Sequence, residues 1–290
     1  MDNKLIFLSK FIILSLFPIF FFSQNSSVDS LIKLYENDNK NQGLIIKIGE
    51  AFAAEKKWDQ AIKYYSILVQ IEPENSDYLY RLGGTQAAYS EIANKFKVLS
   101  IINSAKRNLI RSASNDSKHI YSRWALVQIL TELPNILGGD KTEALNYSNE
   151  IYFISKIHGL LSLYYIYNYQ NKENLKLSTE ENIIDEILEN PILFDFNYFN
   201  FIVGKILFEK DIDQEKLSVK YLERYISSYS SSDRFSLDEV YYYLAYCNYN
   251  IGNKNSGILL SKSREIAMEA PKKNYNLITK IEELNKLINQ

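Results

Sequence analysis

The chain has 290 residues, 46% hydrophobic and 23% charged, a balance that suits one large folded domain or an elongated array and excludes a disordered polypeptide. A net charge of -2 gives no electrostatic reason to bind nucleic acid or an anionic membrane surface, so neither is an expected partner. A single cysteine and two histidines exclude an intramolecular disulfide and a Cys/His zinc site, and no metal or cofactor is expected.

In chain order, Met1 to Ser23 has a short basic start (Lys4, Lys10) and an apolar run from Phe11 to Phe22. A polar break follows at Ser23-Gln24-Asn25-Ser26-Ser27. That is the layout of a secretory signal over residues 1–23, and the run, interrupted by Pro18, is short of the roughly 20 residues a transmembrane helix needs. The expected destination is the periplasm or the exterior, without membrane insertion after cleavage. The alternative is a chain tethered by an uncleaved N-terminus. Residues 24–41 are polar, with one short helical pattern (Val28, Leu31, Leu34) that predicts an N-terminal capping helix.

The stretch from Gln42 to Asn75 carries the clearest periodicity. Ile45, Ile48, Gly49 and Phe52 share one face of a first helix. Lys56-Lys57 makes a turn, and Trp58 opens a second helix with Ala61, Ile62, Tyr65, Leu68 and Val69 on its inner face. Pro73 stops it. Small residues at Gly49 and Ala61 suit two antiparallel helices that must approach closely where they cross. This segment resembles the tetratricopeptide repeat, a helix–turn–helix unit of about 34 residues with small residues at those crossings and a closing proline. Leu68 departs from the pattern, standing where the family usually has a small residue.

The same grammar returns from Asp238 to Pro271. Ala245 takes the place of Gly49, Gly252-Asn253 the turn, Gly257 the place of Ala61, and Pro271 closes the unit. Between the two, the pattern is worn. Gly83 marks a crossing in a unit from Ser76 to about His119, whose turn region (Tyr89 to Leu99) reads as too long. Ala144 takes the small-residue place in Tyr121 to Lys156, after an insertion at Leu133 to Leu137. Leu163-Tyr164 and Val203-Gly204 mark crossings in pairs spanning 157–190 and 194–231, and the second helices of these pairs match poorly. Asn274 to Asn289 stripes Leu277, Ile281, Leu284 and Ile288 along one side. The resemblance implies an all-α fold. It would be an α-solenoid of about six stacked antiparallel helix pairs over 42–271, with a C-terminal capping helix in 272–290.

Catalytic chemistry has little to stand on. His119 and His158 read as solvated turn residues, and Cys247, on an aromatic helix without a companion base, as a buried structural thiol. Gly83-Gly84 and Gly138-Gly139 lack the strand and the Gly-Lys-Ser/Thr ending of a phosphate loop, so crossing and turn roles are expected. Glu180-Glu181 and Asp185-Glu186 read as the wet face of an amphipathic helix. No catalytic residue is expected.

In the family the first helices line the inner face of the array. Carried over, that face holds Tyr80; Tyr165 and Tyr169; Lys205 and Phe208; and Tyr242, Tyr246 and Tyr249. Tyrosine offers a binding groove a large rigid surface and a hydroxyl at small entropic cost. The alternative is that these rings bridge adjacent repeats. Ile46, Tyr80, Ala125, Leu161 and Tyr242 stand where a clamp for a C-terminal carboxylate would need Lys and Asn. The expected role is an exported, non-catalytic scaffold for another protein or peptide. The alternative is a carrier of an apolar small molecule or lipid, with Phe194-Asp195-Phe196-Asn197-Tyr198-Phe199 near its pocket.

Overall fold

A computed structural model of the protein describes residues 28–210, 214–230 and 233–289. The expected signal at residues 1–23 lies outside them. The described residues form α-helices and no strand: α1 (Val28–Asn37), α2 (Gln42–Ala54), α3 (Trp58–Ile71), α4 (Ser76–Ser90), α5 (Lys95–Asn115), α6 (Ile120–Glu132), α7 (Lys141–Ile154) and α8 (Lys156–Tyr169). They continue with α9 (Glu173–Glu189), α10 (Asn197–Glu209), α11 (Glu215–Ser227), α12 (Leu237–Asn250), α13 (Ser256–Glu269) and α14 (Tyr275–Ile288). The chain divides into two compact units between Thr179 and Glu180.

In the first unit each helix from α1 to α8 packs on the next, and α4, α6 and α8 also touch in succession. In the second, α10 to α14 pack in sequence, and α10, α12 and α14 touch in succession. Within each unit, then, even-numbered helices form a row: α4, α6 and α8 in the first, α10, α12 and α14 in the second.

Local chemistry explains several helix starts. Asn41, Asn75, Asn94, Asp140 and Asn274 each accept a backbone N–H at an N-terminus, a cap worth about 1 kcal/mol. His119 does the same for α6, accepting from the Ser122 N–H at 3.1 Å. Its other ring nitrogen meets Asp77 at 3.2 Å, so it is a half-buried cap and not the solvated turn residue expected. Helix ends repeat as well. Lys56, Asn171 and Gly252 all have positive φ (56°, 52° and 71°). In each case the following N–H reaches back five residues: Lys57 to Phe52, Lys172 to Tyr167 and Asn253 to Asn248, at 2.8–2.9 Å. This is the left-handed C-terminal turn that glycine adopts without strain.

The helix crossings set the spacing. A Cβ on Gly49 would fall 2.5–2.9 Å from the Tyr65 ring, and Ala61 is fully buried beside it. Ile45, Ile48 and Leu68, all 0% exposed, fill the seam, each contributing about 1.5–3 kcal/mol of burial. A Cβ on Gly83 would press on Leu109 and the Ala105 carbonyl, and one on Gly204 on Leu222. Ala144 and Ala245 are fully buried. Gly257 differs: it is half-buried, and a Cβ there would meet only Ile288 at 3.8 Å, so nothing at that point demands a small residue. Pro73 and Pro271 follow the ends of α3 and α13 by two residues.

Serine carries a close approach in two of the worn pairs and in the last pair. Ser112 donates to the Ser76 carbonyl (2.8 Å), Ser218 to the Gly204 carbonyl (2.8 Å) and Ser263 to the Asp238 carbonyl (2.7 Å). Ser148 and Ser162 share a 2.5 Å hydrogen bond between α7 and α8. All five are fully buried.

Four further expectations are corrected. The turn after α4 is only residues 91–94, because α5 extends to 21 residues instead of leaving a long loop. On α1 the packed face is Val28, Leu31, Ile32 and Tyr35, while Leu34 is exposed. Of the acidic residues on α9, Glu181 and Asp185 are exposed but Glu180 and Glu186 are buried. Lys210 meets Glu180 at 3.2 Å and Asn190 donates to Glu186 at 3.1 Å, which gives the first carboxylate a counter-charge and the second a hydrogen bond. In α8 the tightest point is Gly159, where a Cβ would lie 2.3 Å from the Tyr152 Cα.

Candidate functional site

The second unit holds a solvent-open pocket of about 330 Å³ on the even-helix row. Its floor comes from the last turn of α10 (Leu207, Phe208, Glu209) and from one stripe of α12 (Tyr242, Tyr243, Tyr246 and Asn250, at spacings of one, three and four). Glu215, which opens α11, and Lys280 of α14 complete it. The rings pack at inclined and edge-on angles: Phe208 stands 4.8 Å from Tyr243 and 5.3 Å from Tyr246, and Tyr242 is 5.7 Å from Tyr243 and 6.3 Å from Tyr246. Such stacks hold aromatic walls rigid.

Charge is distributed around the rings. Lys205 lies 3.8 Å from Glu209 and 3.7 Å from Glu239, with its ammonium 5.8 Å above the Tyr243 ring. The Tyr243 hydroxyl donates to Glu239 at 2.8 Å. Burial first, then the Glu239 and Glu209 carboxylates, push that phenol far above its usual range. Burial, Tyr246 and Glu283 raise Tyr242 as well. Asn250 donates to Glu215 at 3.3 Å.

Of the residues expected to bind a partner, Phe208, Tyr242 and Tyr246 meet in this pocket, with Lys205 behind it. Tyr249, in the last turn of α12, is exposed and lines no part of it. The three in the first unit are spent on packing. Tyr80 is buried with its ring 5.2 Å from His119 and 6.3 Å from Tyr121. Tyr165 packs at a tilt 5.5 Å from Trp124 and donates to the Glu132 carboxylate. Tyr169 is half exposed and donates to the Glu132 carbonyl at 3.2 Å. Sequence reading missed Tyr243, Glu209, Glu215, Asn250 and Lys280. The helical stripe Tyr242-Tyr243-Tyr246-Asn250 was available as a signal. Nothing local linked Glu215 and Lys280, 65 residues apart, to it.

Nothing resembling a catalytic constellation forms among the described residues. His158 accepts or donates to Ser155 at 2.8 Å, and burial lowers its pKa to about 4, so it is a half-buried neutral imidazole and not a solvated one. The Cys247 thiol is fully buried, donates to Ser218 at 3.5 Å and is pushed up by burial to about 11, which leaves it protonated and a poor nucleophile. No group of three or more His, Cys, Asp or Glu could hold a metal ion among the described residues, and no described helix is long and apolar enough to cross a membrane.

Antiparallel helix pairs that repeat the same crossing and the same turn, with a row of first helices left open around an aromatic pocket, define a helical-repeat protein. Residues 45–75 match the tetratricopeptide repeat family model, so that segment is tetratricopeptide-repeat-like. No curated protein matches the chain. Among solved structures it is similar to a tetratricopeptide repeat protein from Parabacteroides merdae, at 12% identity over 91% of both chains with a TM-score of 0.48. It is also similar to the tetratricopeptide domain of P58(IPK), at 12% identity over 86% of this chain and 66% of that one, with a TM-score of 0.28. The tetratricopeptide fold is one that serves as a scaffold for protein–protein interaction, and its family is generally non-catalytic.

Proposed function

We propose that the chain is an exported, non-catalytic scaffold that holds a segment of another protein in the aromatic pocket between α10, α12 and α14. The observation that carries this is the convergence of Phe208, Tyr242 and Tyr246, from two successive first helices, on one solvent-open pocket. Rigid rings at the centre of a patch, rimmed by charge, are the usual makeup of a protein-binding hot spot. Export rests on the basic start, apolar run and polar break of residues 1–27.

A lipid carrier needs an enclosed apolar cavity, and a half-open 330 Å³ pocket bordered by carboxylates and ammoniums is a poor one. The Phe194 to Phe199 stretch that favoured a carrier closes on itself instead. Phe199 packs 5.5 Å from Phe194 and 5.0 Å from Phe196, and Phe194 reaches Tyr221 at 6.3 Å. The test is affinity capture from envelope fractions with the mature chain and with a Phe208→Ala, Tyr242→Ala, Tyr246→Ala variant whose helicity is checked. The variant should lose a protein partner that the parent retains. Equal capture by both removes the pocket from the role, and recovery of lipid alone turns the reading to a carrier. N-terminal sequencing of the chain from its source cells checks export, with Gln24 as the expected first residue.

A further inference from the structure

We infer that the pocket of the second unit takes a cationic side chain, arginine or lysine, presented by an extended segment of the partner. The inference rests on the scaffold reading and adds the chemistry of what is held. Three independent features favour a cation. Four carboxylates (Glu209, Glu215, Glu239 and Glu283) stand on or beside the aromatic walls, against two ammoniums, Lys205 and Lys280. The pocket also includes the final residues of α10 and α12, Glu209 and Asn250, so it faces the negative ends of two helix dipoles against the positive end of one, that of α11 at Glu215. Finally, the rings offer π faces, and Lys205 already places an ammonium 5.8 Å above Tyr243.

A volume of about 330 Å³ accommodates one long side chain, its aliphatic stem along Phe208 and Tyr246 and its head at Glu215 and Glu209. Glu215 is half-buried, which strengthens a charge-assisted hydrogen bond relative to a fully solvated rim carboxylate. Lys280 is exposed, so its ammonium is strongly screened and can swing away from an incoming cation.

The test uses the mature chain and four pentapeptides, acetyl-Gly-Gly-X-Gly-Gly-amide, with X as arginine, citrulline, leucine or aspartate, followed by isothermal titration and by tyrosine ring NMR shifts. Arginine should bind saturably, about tenfold more tightly than its uncharged isostere citrulline. Glu215→Gln should weaken arginine binding about fivefold with unchanged helicity, while Lys280→Ala should strengthen it. Equal binding of leucine and arginine sinks the cation and leaves the scaffold reading standing on an apolar pocket. Preference for aspartate, lost in Lys280→Ala, reverses the charge assignment. Silence of all four peptides up to about 20 mM overturns the inference, and partner capture by the parent chain but not by the Phe208, Tyr242 and Tyr246 variant would then still support the scaffold.

Discussion

Replacing Arg123 with methionine should destabilise the first unit by about 3 kcal/mol. The side chain is 6% exposed and makes four hydrogen bonds: to the carbonyls of Ala113 (2.8 Å), Asp116 (3.0 Å) and His119 (3.1 Å), and to the Glu150 carboxylate (2.7 Å). Its guanidinium therefore ties the end of α5 to α6 and α7, and it sits where the negative end of the α5 dipole would otherwise face the interior. Each bond to a charged donor is worth about 1.5–3 kcal/mol, and an acceptor left dry costs about 1–3 kcal/mol. Methionine keeps the stem packed and removes the need to desolvate a cation, which offsets part of the sum. Glu150 is half exposed, so it rehydrates, and Glu150→Gln should cost under about 1 kcal/mol. Urea titrations followed by circular dichroism at 222 nm measure both variants. A loss below about 1 kcal/mol for Arg123→Met, or equal losses for the two, would refute the claim that the arginine acts through the three carbonyls.

Other outcomes follow from the same geometry. Lys56→Gly should stabilise the chain by about 1 kcal/mol, because φ = 56° strains any residue with a Cβ, and Gly252→Ala should destabilise by a similar amount; thermal melts decide. Gly159→Ala should be more damaging than Gly49→Ala, since the first Cβ would strike the Tyr152 backbone at 2.3 Å and the second a Tyr65 ring that can tilt; denaturant midpoints rank them. His158 is neutral in the fold, with a pKa of about 4 against an ordinary 6.5, so the unfolded chain takes up the proton first. Stability is therefore fully present above about pH 6.5 and falls as pH drops toward 4, and His158→Gln should flatten that part of the curve.

The first pair was legible because Gly49, Ala61 and the 3.6-residue spacing of Ile45, Ile48 and Phe52 all report the same crossing. The last pair was legible for its Ala245 and its Gly252 turn. The second helix of the pair spanning 194–231 looked unrelated because a search for glycine and alanine passes over serine, here Ser218. Ser112, Ser218 and Ser263 are small enough to cross and turn a cost into a hydrogen bond. Glu180 and Glu186 were misread because period alone cannot announce a partner such as Lys210 or Asn190 next to a carboxylate. For the pocket, the rings of α12 showed in the sequence, whereas Glu215 and Lys280 arrive by tertiary packing that no local pattern encodes.

The buried hydroxyls have one more implication. A seam of leucines and isoleucines tolerates sliding by a helical turn, about 5.4 Å, since any apolar side chain can replace another. A seam with one donor and one matching carbonyl does not: displaced, Ser218 and Ser263 would each strand a polar group in a dry interior. In the α4/α5, α10/α11 and α12/α13 pairs one hydroxyl thus acts as an alignment pin, which selects a single phase for the two helices and so determines which side chains reach the open row.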